Sequence, residues 1–144
     1  MAADNKMISR RVVEEGFAQG KVELFDDLVA EDVVNHDETL PPEIPPGREG
    51  VKALAQGYKM AFPDLVLTVE DQIAEGDKVA TRWTARGTHQ GELMGIPPTG
   101  KEARVTGTTI DRIEDGQIVE TWTNWDQVSL LQQLGVIPEM ARTS

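Results

Sequence analysis

Residues Thr109 to Val136 read TIDRIEDGQIVETWTNWDQVSLLQQLGV, and two strands, their turn and a closing helix can be read from them. Asp115-Gly116 separates two runs rich in β-branched and aromatic residues, Val105 to Ile113 and Gln117 to Trp125. An Asp-Gly pair tolerates the positive φ of a tight turn, so the spacing predicts an antiparallel hairpin. Alternation along the second strand groups Ile118, Glu120, Trp122, Asn124 and Asp126 on one side, and Val119, Thr121, Thr123 and Trp125 on the other. DQVSLLQQLG then reads as a short helix, with Asp126 where an N-cap is favoured and Gly135 as its stop.

Working back from that hairpin, LVLTVEDQIA and KVATRWTARGTHQG alternate with period two around Glu75-Gly76-Asp77-Lys78, which predicts a second hairpin. The loop ELMGIPPTG joins the two. Val51, Leu54, Ala55, Tyr58 and Phe62 recur at helical spacing, predicting a helix from about Arg48 to Ala61 that Pro63 ends. TLPPEIPPGREG, with four prolines and two glycines, is a stiff loop of the kind that rims a pocket. Before it, EDVVNHDE is a short extended piece, and helices are expected over Asn5 to Gln19 and Lys21 to Ala30. Helices followed by about four antiparallel strands and a last helix predict an α+β fold, with helices gathered on one face of a curved sheet.

The chain has 144 residues, enough for one domain over 1–144 with its own core. A net charge of −11 repels phosphate backbones and anionic membranes, so neither nucleic acid nor membrane is an expected partner. The absence of cysteine excludes disulfides, thiolate metal sites and a Cys nucleophile. The polar start MAADNKMISRR has no apolar run behind it, and a cytoplasmic location is the expectation.

There is no glycine-rich phosphate loop, GxSxG elbow or HExxH. His36 and His89 are the two histidines, too few for a hydrolytic zinc site, so no metal is expected. Ser9, Ser129 and Ser144 fall on expected helices or the tail, and none neighbours a His. What remains is acid–base chemistry by a carboxylate in an apolar pocket. Asp126 is a candidate, with Trp122 and Trp125 beside it, although the same residue suits an N-cap. His36 lies just before the proline loop, either solvated or facing the cavity, and His89 lies in a turn that could rim it. Trp83, Tyr58, Phe62 and Met94 are candidate pocket walls or simply core. Leu93, Met94 and Ile96 would be costly to leave in water, so the ELMGIPPTG loop is expected to pack on the cavity mouth or on a partner subunit.

Taken together, NHDE, GREGVKALAQGYKMAFPDL, VEDQIAEGDKVATRWTARGTHQGELMGIPPTGK, DRIEDGQIVETWTNWD and LLQQLGV resemble the SnoaL-like polyketide cyclase family of the NTF2-like superfamily, from about Val33 to Val136. The resemblance implies a cone-shaped α+β barrel whose helices close an apolar cavity, and a homodimer or homotetramer built through the outer sheet face. It also implies intramolecular aldol ring closure of a polyketide-like molecule without a cofactor, with the WTNWD motif placing the acid–base carboxylate on Asp126. His36, with Asn124 or His89, would then orient or polarise the carbonyls, and Trp122 would desolvate the carboxylate. Other superfamily members isomerise ketosteroids, hydrolyse epoxides or have no activity, so a cavity that only binds a small apolar ligand, or that side chains fill in a structural homo-oligomer, stays open beside these enzyme readings.

Overall fold

The computed structural model describes residues 2–138, with side chains from Asp4 onward. It opens with α1 (Ala2–Arg11), a π-helical turn (Val12–Phe17) and a 3-10 turn (Val22–Leu24). The short α2 (Phe25–Leu28), β1 (Val29–His36) and α3 (Gly47–Ala61) follow. Two hairpins, β2 (Val66–Glu75) with β3 (Lys78–Thr88) and β4 (Glu102–Glu114) with β5 (Gln117–Trp125), lead into α4 (Gln127–Gln133). The strands form one sheet in the order β1-β5-β4-β3-β2, curved but not closed into a barrel.

Local chemistry explains most of these elements. Asp115 and Gly116 both have positive φ, 50° and 79°, as a tight turn between right-twisted strands requires. In α3, Val51 and Ala55 are buried and Leu54 and Tyr58 reach toward the sheet, so one face of the helix covers the core. Arg48 Nε donates to Val29 O, tying α3 to β1. Asp126 caps α4 by accepting from Ser129 N at 3.0 Å, and Gly135 ends the helix at φ 77°.

Two features depart from the local reading. The piece around EDVVNHDE is an eight-residue strand that begins at Val29 and pairs in parallel with β5, so Val29 and Ala30 belong to a strand rather than to the preceding helix. That pairing joins residues far apart in the chain, and periodicity within one segment carries no trace of it. The second departure is a β-bulge. Ile113 pairs with Ile118 while Arg112 pairs with Glu120, which leaves Val119 as an extra residue. The bulge shifts the alternation by one, so Ile118, Thr121, Thr123 and Trp125 all face the helices, and Glu120, Trp122 and Asn124 face away.

Two apolar clusters fill the space between sheet and helices. Phe25, Val29, Val33, Val51, Val79, Ile113 and Ile118 make one, and Phe62, Leu93, Val105, Leu130 and Leu134 anchor the other. Among the described residues, no helix is long and apolar enough to cross a membrane. Gly107 lies on β4 where the Trp83 ring crosses the sheet, and a Cβ added there would run into Trp83 and the Cβ of Trp125. Gly107→Val should therefore destabilise the fold by about 1–3 kcal/mol through overpacking. Urea unfolding measures this, and no loss of stability would mean that the Trp83 ring is seated elsewhere.

Candidate functional site

The inner sheet face, the π-helical turn and helices α3 and α4 enclose a cavity of about 170 Å³ that is partly open to solvent. Its walls are mainly apolar, with Val12, Val33, Leu54, Phe62, Leu67, Val105 and Leu130 among them. Trp83, Trp125 and Tyr58 supply aromatic surface. Both indole N–H groups are engaged within the protein: Trp83 Nε1 donates to Thr109 Oγ1 at 3.1 Å and Trp125 Nε1 to Thr39 Oγ1 at 2.9 Å. Thr39, through its N–H and its hydroxyl, donates to Asp37 Oδ1, so the proline loop is fastened to the end of β5. Tyr58 packs edge-on to Trp125 at 6.3 Å. Burial, with a smaller contribution from the Asp37 carboxylate, pushes the Tyr58 phenol pKa up, so its hydroxyl stays a donor.

A polar row interrupts this apolar surface because three adjacent strands place polar residues in register. Asn35 on β1 pairs with Thr121 on β5, and Thr121 pairs with Asp111 on β4. Asp111 is 4% exposed, and its two oxygens accept from Ser9 Oγ and Thr121 Oγ1, each at 2.7 Å. Loss of hydration on burial raises its carboxyl pKa and outweighs the opposing pull of the two hydroxyl donors. Thr109 and Thr123, hydroxyl to hydroxyl at 3.2 Å, form the next row, and Asp37 lies just beyond β1.

Of the residues singled out in the sequence, Trp83, Tyr58 and Phe62 line the cavity. Asp126 is exposed at the start of α4 and engaged in capping. His36 and Trp122 stack at 5.1 Å on the outer sheet face, where His36 Nε2 pairs with Glu120 at 2.7 Å and Lys78 sits over the indole. That hydrogen bond and the Arg112 guanidinium hold the Glu120 carboxyl below its ordinary value. Asn124 is exposed on the same face. The bulge at Val119 accounts for the outward placement of Trp122 and Asn124.

His89 is wholly buried against Phe62, its Nδ1 accepting from Thr99 N, and so pins the ends of the 89–101 loop rather than lining the cavity. Within that loop Leu93 is buried while Met94 is 41% exposed in the single chain, with Gln127 Nε2 donating to its sulfur. Ser9, passed over as a helix residue, is a ligand of the buried carboxyl, and Ser144 lies outside the described residues. Asp111 had a legible signal, since it falls on the same phase of β4 as the buried Ala103, Val105 and Ile113.

The architecture is that of the NTF2-like class, an open curved sheet and helices around an apolar cavity that carries a small set of polar groups. The model of the SnoaL-like polyketide cyclases matches residues 8–134, and the chain belongs to that family. Among solved structures it is similar to IdmH of Streptomyces antibioticus, described as "a putative polyketide cyclase", at 41% identity and TM-score 0.76 over 91% of this chain and 98% of that one. TsrD of Streptomyces laurentii aligns at 27% identity and TM-score 0.85 over 95% and 98% of the two chains. AclR of Streptomyces galilaeus, "a putative hydroxylase", aligns at 30% and 0.82 over 99% and 87%. No curated protein sequence matches the chain.

The raised pKa of Asp111 has a consequence for stability. The native chain holds this proton more tightly than the unfolded one, whose Asp titrates at about 3.9. Its contribution to stability is therefore fullest below about pH 4 and is lost as pH rises to the folded value. Asp111→Asn removes that loss, and an amide can still bond both hydroxyls. The melting temperature of the variant relative to the parent should climb from about pH 4 upward and then level off. A difference that stays constant with pH would show that the Asp111 carboxyl titrates at its ordinary value.

Proposed function

We propose that this protein is a cofactor-independent cyclase that closes a ring by intramolecular aldol condensation in a polyketide-type substrate, with Asp111 as the acid–base group. The observation that carries this reading is a desolvated carboxyl in an apolar cavity, held by two hydroxyls. Ionised Asp111 removes a proton from the carbon between two carbonyls. The resulting enolate carbon attacks a second carbonyl of the same molecule, forming the C–C bond, and the proton returns to the alkoxide. Burial favours this cycle because a carboxyl pushed toward neutrality is both a better base and an accessible acid. Tyr58 and Asn35 are positioned to orient carbonyls.

A ligand-carrying role alone would not call for a desolvated carboxyl, whose burial costs stability that its two hydroxyl partners offset only in part. Side chains leave the cavity unfilled, which weighs against a purely structural role. Cavities of about 150 Å³ hold a benzene ring, so the volume here supports a substrate that presents one ring-forming segment rather than a multi-ring body. The acid–base role moves from Asp126, which caps a helix outside the cavity, to Asp111. Asp111→Asn should lower kcat on a linear poly-β-ketone by about 10²–10⁴ with the fold retained, while Asp126→Asn stays within about tenfold of the parent. An active Asp111→Asn beside an inactive Asp126→Asn would return the role to Asp126.

We also propose a homo-oligomer joined through the outer sheet face. Its support is the cross-strand row His36, Trp122, Ile110, Ala80 and Ile73, in which Ile110 is 39% and Ile73 67% exposed. Ile73→Asp with Ile110→Asp should shift the mass measured by light scattering to that of one chain, and an unchanged mass would locate the contact elsewhere.

A further inference from the structure

At the proline-loop end of the cavity, one acceptor and one donor stand unused. Val33, Asn35 and Asp37 share the inward phase of β1 and the residue beyond it, and all three line the cavity. Asp37 Oδ1 accepts from the N–H of Thr39 at 2.9 Å and from its hydroxyl at 2.6 Å, and Thr39 Oγ1 in turn accepts from Trp125 Nε1. Those bonds fix the carboxylate and leave its Oδ2 without a partner among the described residues. The Tyr58 hydroxyl on α3, also at the wall, has none either. Neither oxygen is sealed off: both residues are half-buried, and both atoms keep accessible surface. Trp125 organises the pair, since its N–H holds Thr39 against Asp37 and its ring packs edge-on to Tyr58 at 6.3 Å. The Asp37 charge is felt at the Tyr58 phenol, which puts the two groups on one stretch of wall. Both Asp111 oxygens and both cavity indole N–H groups, by contrast, are engaged within the protein.

We propose that Asp37 Oδ2 and the Tyr58 hydroxyl form a subsite for one neutral hydroxyl of a ligand, phenolic, enolic or alcoholic, which donates to the carboxylate and accepts from the phenol. A carboxylate on the ligand would meet the Asp37 charge, and an ammonium would leave the Tyr58 hydrogen without an acceptor. An ether accepts but cannot donate. A hydroxyl does both, and the apolar wall around it takes the rest of the molecule. This demand follows from the cavity alone, and only the assignment of the hydroxyl to an enol of a poly-ketone rests on the cyclase reading. Under that reading the subsite anchors one end of the chain, one row along and two strands across from Asp111, so that the anchored oxygen and the reacting carbon belong to different parts of one molecule.

The test titrates two single-ring probes of nearly equal shape, 4-methylphenol and 4-fluorotoluene, into the full chain. Binding is followed by NMR at the indole N–H signals, since Trp83 and Trp125 line the cavity. The parent should hold the phenol at least about tenfold more tightly, the worth of a hydrogen bond to a charged acceptor. Asp37→Asn should lower that ratio by about fivefold or more, because Thr39 keeps the amide oxygen and the amide nitrogen, a donor, replaces Oδ2. Asp37→Ala should lose the preference in the same way and guards against a disturbed loop in the Asn variant. Tyr58→Phe should lower the ratio by about two- to tenfold, as for a neutral hydrogen bond. It should melt at or above the temperature of the parent, because the hydroxyl it lacks had no described partner. The proposal is overturned if the parent binds neither probe or prefers the phenol by less than about threefold, or if either the Asp37 variants or Tyr58→Phe keep the parental ratio. None of these readouts requires turnover, so a failed cyclase assay and a failed hydroxyl preference remain separate results.

Discussion

One extra residue, Val119, determines which half of the last strand meets the cavity, and much of the site's chemistry follows from it. Without the bulge, the phase that buries Ile118 would continue to Glu120, Trp122 and Asn124, placing a carboxylate and an amide inside. With it, Thr121, Thr123 and Trp125 face inward. Thr121 then meets Asp111 on one side and Asn35 on the other, while Glu120 is free to pair with His36 and Arg112 on the outer face. A bulge is a local backbone event, yet because strand side chains alternate it reassigns every residue beyond it.

The parallel strand β1 and the N-terminal helix complete what the bulge begins. Strand β1 adds Asn35 to the edge of the polar row, and α1 carries Ser9 onto Asp111 from 102 residues away. A second tie, from Gln72 to Lys6 O and Thr81, holds the same helix on the sheet. These contacts keep a desolvated carboxyl and an unsatisfied amide oxygen in a region that would be more stable if it were wholly apolar. The two flanking apolar clusters offset that cost, and such a local conflict inside a consistent core is what a binding or catalytic site looks like in physical terms.

Fold and chemistry are separable here. The same sheet and helix arrangement is shared with a protein described as a cyclase and with one described as a hydroxylase. What differs between proteins built this way is the handful of polar side chains projected into the cavity and the space left around them. In this chain those are the Asn35, Thr121 and Asp111 row, the two cavity tryptophans with their N–H groups turned into the protein, and a space of about 170 Å³.

The amino-acid sequence by itself determined the elements whose causes are local. Asp115-Gly116 made the hairpin, the spacing of Val51, Leu54, Ala55 and Tyr58 made α3, Asp126 and Gly135 bounded α4, and the motifs from Asn35 to Val136 carried the family. Tertiary structure alone decided the parallel partner of β1, the face presented by β5 and the meeting of Ser9, Asp111 and Thr121. The physical reason is the range of the forces concerned. Turn φ angles, caps and amphipathic periodicity act within a few residues, whereas strand register and desolvation depend on which distant segment covers a side chain, and that is settled only when the sheet and helices close on one another.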